Sequence, residues 1–121
     1  MKVLVATEKP FSKAAVDGIR TIVEEAGYEL ALLEKYTDVQ QFYDAVADAD
    51  ALIVRSDKVT KEVIDHANNL KIVVRAGAGF DNLDLAACTA KNIVAMNTPG
   101  QNSNAVAELA IGMMIYMARN T

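Results

Sequence analysis

Five short runs of continuous apolar sequence constrain this chain more than any other feature: residues 2–6, 28–33, 51–54, 71–74 and 93–96. Most are rich in Val, Ile and Leu and do not alternate with polar residues. A strand with one face in water alternates, whereas a strand covered on both faces does not. Such runs therefore fit parallel strands sandwiched between helices. Between them lie segments with helix start and stop signals. Ser12 can cap a helix running through Ala26, which Gly27 then stops. Asp38 can cap a second, ending before Asp50, and Thr60 a third, reaching Asn68. Leu83 or Asp84 opens a fourth, ending near Asn92, and Asn102 or Ser103 opens a fifth, longer helix.

The runs begin at positions 2, 28, 51, 71 and 93, one βα unit each, and resemble one another in pattern rather than in sequence. Repeated βα units with short loops imply right-handed crossovers and a parallel sheet. The expected fold is α/β: a flavodoxin-like open parallel five-stranded sheet of order 2-1-3-4-5, with helices on both faces and a long C-terminal helix. A chain of 121 residues suits one domain with its own core, without help from disulfides or metals. The one plausible internal boundary is NTPGQNSN at 97–104, which gathers Pro, Gly, Asn and Ser.

Composition excludes several classes. A net charge of −4 argues against a nucleic-acid footprint or a basic membrane surface. Cys88 is the only cysteine, so no internal disulfide can form, and a reducing, cytoplasmic setting is the simpler expectation. The start MKVLVATEKPF is too short and polar for a secretory signal. The longest apolar stretch, 105–118, is interrupted by Glu108 and falls short of the roughly 20 residues a membrane span needs.

In open parallel sheets ligands bind beyond the carboxyl ends of the strands. Arg55 and Ser56 follow the third run, Arg75, Ala76 and Gly77 the fourth, and Asn97 the fifth. Adjacent strands lie about 4.8 Å apart, so Arg55 and Arg75 are expected as near neighbours. Two guanidiniums that close call for anions between them, and Arg suits carboxylate and phosphate. The plainer alternative pairs each Arg with a local acid, Asp57 or Asp81.

The segment AGAGFDN at 76–82 follows a strand and precedes a helix. Glycines allow a tight turn that brings N–H groups to an anion, and the helix N-terminus adds a favourable field. A dinucleotide fingerprint is a poor match. Asn82 stands where a third Gly or Ala belongs, the segment follows the fourth strand, and Asn97 occupies the region where an acid is expected. A carboxylate-holding loop fits better, with an ordinary βα turn as the alternative.

Other chemistry-bearing residues read as structural. His66, the only histidine, is expected mid-helix in solvent rather than as a base, and Cys88 as a small core residue. Asp57, Asp81 and Asp84 suit turns, caps and ion pairs, and Met113, Met114 and Met117 suit packing. No metal site is expected. A phosphoacceptor domain would need an acid where Arg55 stands, paired acids where Ala6 and Thr7 stand, and a Lys where Asn97 stands. A flavin module would want a phosphate loop after the first strand, and TEKPFSK has no glycine.

Three motifs, VRS at 54–56, VRAGAGFDNLDL at 74–85 and MNTPGQNSNAVAELAIGMM at 96–114, are together similar to the D-isomer-specific 2-hydroxyacid dehydrogenases, and most to the 3-phosphoglycerate dehydrogenases among them. The resemblance implies a parent enzyme with a substrate lobe and an NAD lobe around one site. It implies that Arg75, Ala76, Gly77, Ala78 and Gly79 form the loop holding the substrate carboxylate through backbone N–H groups, with Arg75 also touching substrate. Arg55 and Ser56 match positions near the phosphate-bearing end. Ala78 matches a position facing substrate and cofactor, where some relatives carry Thr. Asn97 matches the hinge Asn, and Ala78 and Asn97 would make marginal cofactor contacts.

On this resemblance, residues 1–98 are the substrate-binding domain and 99–121 the hinge and interdomain helix. The family's dinucleotide motif and its catalytic Arg, Glu and His would lie beyond Thr121, so no catalytic residue is expected here. The chain alone is expected to be inactive and to bind no NAD. The implied reaction takes D-3-phosphoglycerate to 3-phosphohydroxypyruvate in serine biosynthesis. A non-catalytic small-anion-binding module of flavodoxin-like fold is the alternative. The fifth helix is apolar nearly all the way round, which predicts burial on every side and a homodimer built on it.

Overall fold

A computed structural model of the chain describes residues 2–7, 13–34, 37–54, 58–75, 83–97 and 103–119. Five strands, β1 (Lys2–Thr7), β2 (Glu29–Glu34), β3 (Ala51–Val54), β4 (Ile72–Arg75) and β5 (Val94–Asn97), alternate with five helices. The helices are α1 (Lys13–Glu25), α2 (Val39–Val46), α3 (Lys61–His66), α4 (Leu85–Ala90) and α5 (Ser103–Arg119). All pairings are parallel and the order is β2-β1-β3-β4-β5, the expected α/β arrangement.

The unbroken apolar runs have the anticipated cause. Val3, Val5, Ala51, Ile53, Ile72 and Val74 point to one face, where Ile19 and Val23 of α1 and Val106, Ala107, Ala110 and Met114 of α5 cover them. Leu4, Ala6, Leu52, Val54 and Val73 point to the other, under Phe42 and Val46 of α2, Val63 and Ile64 of α3 and Cys88 of α4. Every residue of central β3 is buried. At the amino ends of the strands Asp50 joins three of them. It accepts the Lys2 N–H on its carboxylate at 2.8 Å, and its backbone exchanges bonds with Lys2 and Lys71. Lys2 also pairs with exposed Asp48 at 3.0 Å, and the ammonium lowers that carboxyl from its usual range.

Three anticipated caps are present. Asp38 forms a full capping box with Gln41, and Thr60 and Asp84 accept the N–H groups of Val63 and Ala87. Ser12 lies outside the described residues. Two helices end by one device. After α1, Gly27 at φ +80° donates to Glu24 and Tyr28 donates to Val23. After α4, Asn92 at φ 58° donates to Thr89 and Ile93 donates to Cys88. Both are Schellman closures, in which one residue must take the left-handed conformation. Asn tolerates that conformation and β-branched residues do not, so Asn92→Val is expected to cost about 1–2 kcal/mol, read as a drop in the urea midpoint.

Several boundaries differ from the sequence reading. β2 begins at Glu29 rather than Tyr28, and β1 extends to Thr7. The last two strands run one residue later than the apolar runs, because Arg75 and Asn97 still pair in the ladder. α3 stops at His66 rather than Asn68, and α4 at Ala90. α5 also departs from uniform burial: Glu108, Gly112 and Tyr116, one helical turn apart, face solvent, and Tyr116 is 62% exposed. Of its methionines Met114 is fully buried and Met113 partly so. Among the described residues no helix is long and apolar enough to cross a membrane.

Candidate functional site

The carboxyl ends of β3, β4 and β5 lie in one register: Val54 pairs with Arg75, and Arg75 with Asn97. Arg75 and Asn97 are therefore the last rungs of their strands rather than the first residues beyond them, which corrects the sequence reading. Side chains alternate along a strand. Arg75 follows Val74, which points to the α1–α5 face, so Arg75 takes the face shared with Val73. By the same parity Asn97 shares that face with Ala95. Both residues are half-buried, so the sheet offers a guanidinium and a carboxamide side by side on one face at the edge where ligands bind. Arg55, Ser56, Ala76, Gly77, Ala78 and Gly79 lie outside the described residues, as do the acids Asp57 and Asp81.

The flanks of those two segments are well defined. Val59 and Leu83 form an isolated parallel bridge, and the Asp84 N–H donates to the Val59 carbonyl at 2.9 Å. Both side chains are buried, Val59 1% and Leu83 7% exposed. Around the bridge opens a cleft of about 420 Å³ lined by Lys58, Thr60, Lys61, Glu62 and Asp84 as well as the bridged pair. Lys61 is engaged with Asp65 at 2.8 Å. Sequence reasoning missed the bridge. Its local signal is the repeated pattern of one apolar residue directly before a helix cap, Val59-Thr60 and Leu83-Asp84.

His66 is the last residue of α3 rather than lying mid-helix. Its Nδ1 meets the Glu62 carbonyl at 2.7 Å and its ring stacks on Tyr43, with centroids 4.2 Å apart. These contacts make it a surface packing residue remote from the strand ends that carry Arg75. Cys88 is buried in the core, as expected. Burial raises its thiol pKa above the ordinary value and the nearby Asp84 charge adds to the effect, so the sulfur is kept as an unreactive thiol.

Fold and edge together define an open, doubly covered α/β domain that presents polar groups at the carboxyl ends of its strands. The family described as D-isomer specific 2-hydroxyacid dehydrogenase, catalytic domain, matches residues 6–117. D-3-phosphoglycerate dehydrogenase of Methanocaldococcus jannaschii is 44% identical over 100 residues, covering 82% of this chain and 19% of that protein. Hydroxypyruvate reductase of Thermotoga maritima is 40% identical over 93 residues, covering 76% of this chain and 30% of the relative. Among solved structures, the NAD+-bound 3-phosphoglycerate dehydrogenase of Entamoeba histolytica superposes with a TM-score of 0.81 at 55% identity, covering 96% of this chain and 38% of that one. The chain thus belongs to the D-isomer specific 2-hydroxyacid dehydrogenase family. It spans about a fifth to two fifths of the length of these relatives.

Proposed function

We propose that the chain is the substrate-binding portion of an NAD-dependent oxidoreductase acting on the CH–OH group of D-2-hydroxyacids, with D-3-phosphoglycerate as substrate and 3-phosphohydroxypyruvate as product. The observation that carries this reading is the pairing of Arg75 with Asn97 at the ligand-binding edge of a sheet whose sequence matches phosphoglycerate enzymes. In the proposed division of labour, Arg55 and Ser56 take the phosphate and the segment Ala76, Gly77, Ala78 and Gly79 takes the carboxylate through backbone N–H groups. Arg75 neutralises charge between them. Asn97 marks the hinge, with residues 1–98 the substrate domain and 99–121 the hinge and interdomain helix. Ala78 and Asn97 would meet the cofactor at its margin.

Oxidation would move a hydride from C2 to nicotinamide and the hydroxyl proton to a base. His66 stacks on Tyr43 and its Nδ1 meets the Glu62 carbonyl, so it is not assigned that role. By family resemblance we assign NAD and the base to the part of the family's enzymes that these residues do not span, serving serine biosynthesis in the cytoplasm. Titration calorimetry tests the reading on these residues alone. D-3-phosphoglycerate should bind, D-glycerate should bind more weakly for want of its phosphate, and NAD should give no heat. Equal affinity for the two acids would remove the phosphate assignment, and dehydrogenase turnover by the chain would overturn the division of labour.

We also assign a homodimer to α5. Leu109, Met113 and Ile115 are only partly buried, and Gly112 among them lets another backbone approach closely, with nothing within 4 Å of a Cβ built there. Light scattering should give twice the chain mass, and Gly112→Glu should return a monomer. A monomer before substitution would refute this assembly.

A further inference from the structure

The exposed stripe of α5 is symmetric about Gly112. At about 3.6 residues per turn, Glu108 and Tyr116 lie roughly one turn before and after Gly112 and about 40° off its direction, one to each side. Leu109 and Ile115 lie about 60° off, again one to each side. Burial follows the same symmetry. Glu108, Gly112 and Tyr116 face solvent, whereas Leu109 and Ile115 are both half-buried at the rim, packed against the core cluster below. Nothing lies within 4 Å of a Cβ built on Gly112, so the centre of the stripe is open to a second backbone.

A two-fold axis through Gly112, perpendicular to the helix, sets each residue of one copy opposite the residue equally far from Gly112 on the other side. In such an isologous contact every pair forms twice. Glu108 meets Tyr116 of the second copy, an acceptor against a donor, and Leu109 meets Ile115, apolar against apolar. An axis along the helix would instead set Glu108 against Glu108, two carboxylates in one contact. The β2 edge of the sheet makes the contrary case. Full antiparallel pairing of two copies of Glu29–Glu34 would put Glu29 opposite Glu34 at both ends, and like charges directly opposite each other repel. We propose that α5 is a self-complementary surface for a second copy of this chain. The two helices cross antiparallel at Gly112, and each Glu108 carboxylate accepts the Tyr116 hydroxyl of the other copy. The inference rests on the α5 homodimer assigned above and adds its orientation and its recognition pair. Tyr116, 62% exposed, has the reach for it, and an O–H to carboxylate bond is charge-assisted.

Cross-linking distinguishes the two orientations. Chains carrying Glu108→Cys are mixed with chains carrying Tyr116→Cys and treated with a short bismaleimide. Both positions are exposed, so neither substitution disturbs the core. Native Cys88 is buried and does not compete. The mixture should give a covalent dimer, and each variant alone should give little. The linked pair keeps Glu108 and Tyr116 intact on its other side, so the variants preserve half of the contact they report.

Analytical ultracentrifugation then tests the recognition pair. Tyr116→Phe should raise the dimer dissociation constant by about tenfold, since the two-fold axis removes two exposed hydrogen bonds at once. Glu108→Ala together with Tyr116→Phe should be no weaker than Glu108→Ala alone, because the two substitutions break the same bond. Additive losses would refute the pair. Cross-linking within the Glu108→Cys chains but not in the mixture would refute the antiparallel crossing. A dimer in which neither the variants nor their mixture cross-link would place the contact on another surface and overturn the proposal, while the homodimer itself would stand. A monomeric unsubstituted chain would overturn the homodimer, and the crossing with it.

Discussion

Replacing Phe42 with alanine is expected to cost about 3–5 kcal/mol of folding stability. Phe42 is 2% exposed and heads the fully buried side chains by volume. It projects from α2 into the cluster beneath Leu4, Ala6, Leu52 and Val54, where the sheet forms a rigid wall. The helix cannot easily sink into the vacated space. Its N-terminus is held by the Asp38–Gln41 capping box, and Val46 near its other end is fully buried in the same cluster. A site that cannot collapse keeps its cavity, which places the cost in the upper part of the range for such truncations. A domain of this size has about 5–15 kcal/mol in total, so the variant stands near the folding threshold. Urea unfolding should show a lower midpoint with an unchanged slope. A loss below about 1 kcal/mol would mean that α2 repacks and that the cluster is more compliant than its burial suggests.

What the sequence discloses and what it hides divide by the range of the interactions. The strands are legible because burial on both faces leaves no room for polar residues, and the helix starts because Asp38, Thr60 and Asp84 cap within three residues. The order β2-β1-β3-β4-β5 follows from crossover handedness and chain economy. The ends are less legible. Arg75 and Asn97 look like loop residues because they are polar, yet their backbones complete the ladder. α3 stops at His66, and the carbonyls around its end have a distant partner as well as the Ala67 N–H. The Lys91 ammonium donates to Ile64 and Ala67 at 2.8 Å across 27 and 24 residues of sequence. The bridge between Val59 and Leu83 is hidden for the same reason: each residue shows a local staple pattern, but nothing local says that the two meet. His66 gains its role from Tyr43, a residue of another helix. The placement of Arg75 and Asn97 at the carboxyl edge could be read in advance because strand-end position in a parallel sheet is a topological fact, and topology is what the runs encode.

Arg55→Ala is expected to weaken binding of D-3-phosphoglycerate by about 1.5–3 kcal/mol, the range for a hydrogen bond to a charged group. That corresponds to a fall of roughly ten- to over a hundredfold in affinity. The assignment gives Arg55 the phosphate end, so its removal should leave D-glycerate binding almost untouched. Arg75→Ala should behave differently. Its strand-end position, in register with Val54 on one side and Asn97 on the other, puts its backbone directly before the segment proposed to hold the carboxylate. Its loss should therefore weaken both acids, by a similar amount for each. Lys is a poor substitute at a bidentate site, so Arg55→Lys should recover charge attraction but only part of the affinity. Raising salt should shrink the Arg55 effect if the phosphate remains partly solvated, because exposed charges are screened over about 10 Å at 0.1 M. Calorimetry on the two single variants with the two acids gives four affinities. If Arg55→Ala weakens D-glycerate as much as D-3-phosphoglycerate, Arg55 does not read the phosphate. If Arg75→Ala spares D-glycerate, the carboxylate is held elsewhere, and the edge formed by Arg75 and Asn97 is not the substrate site.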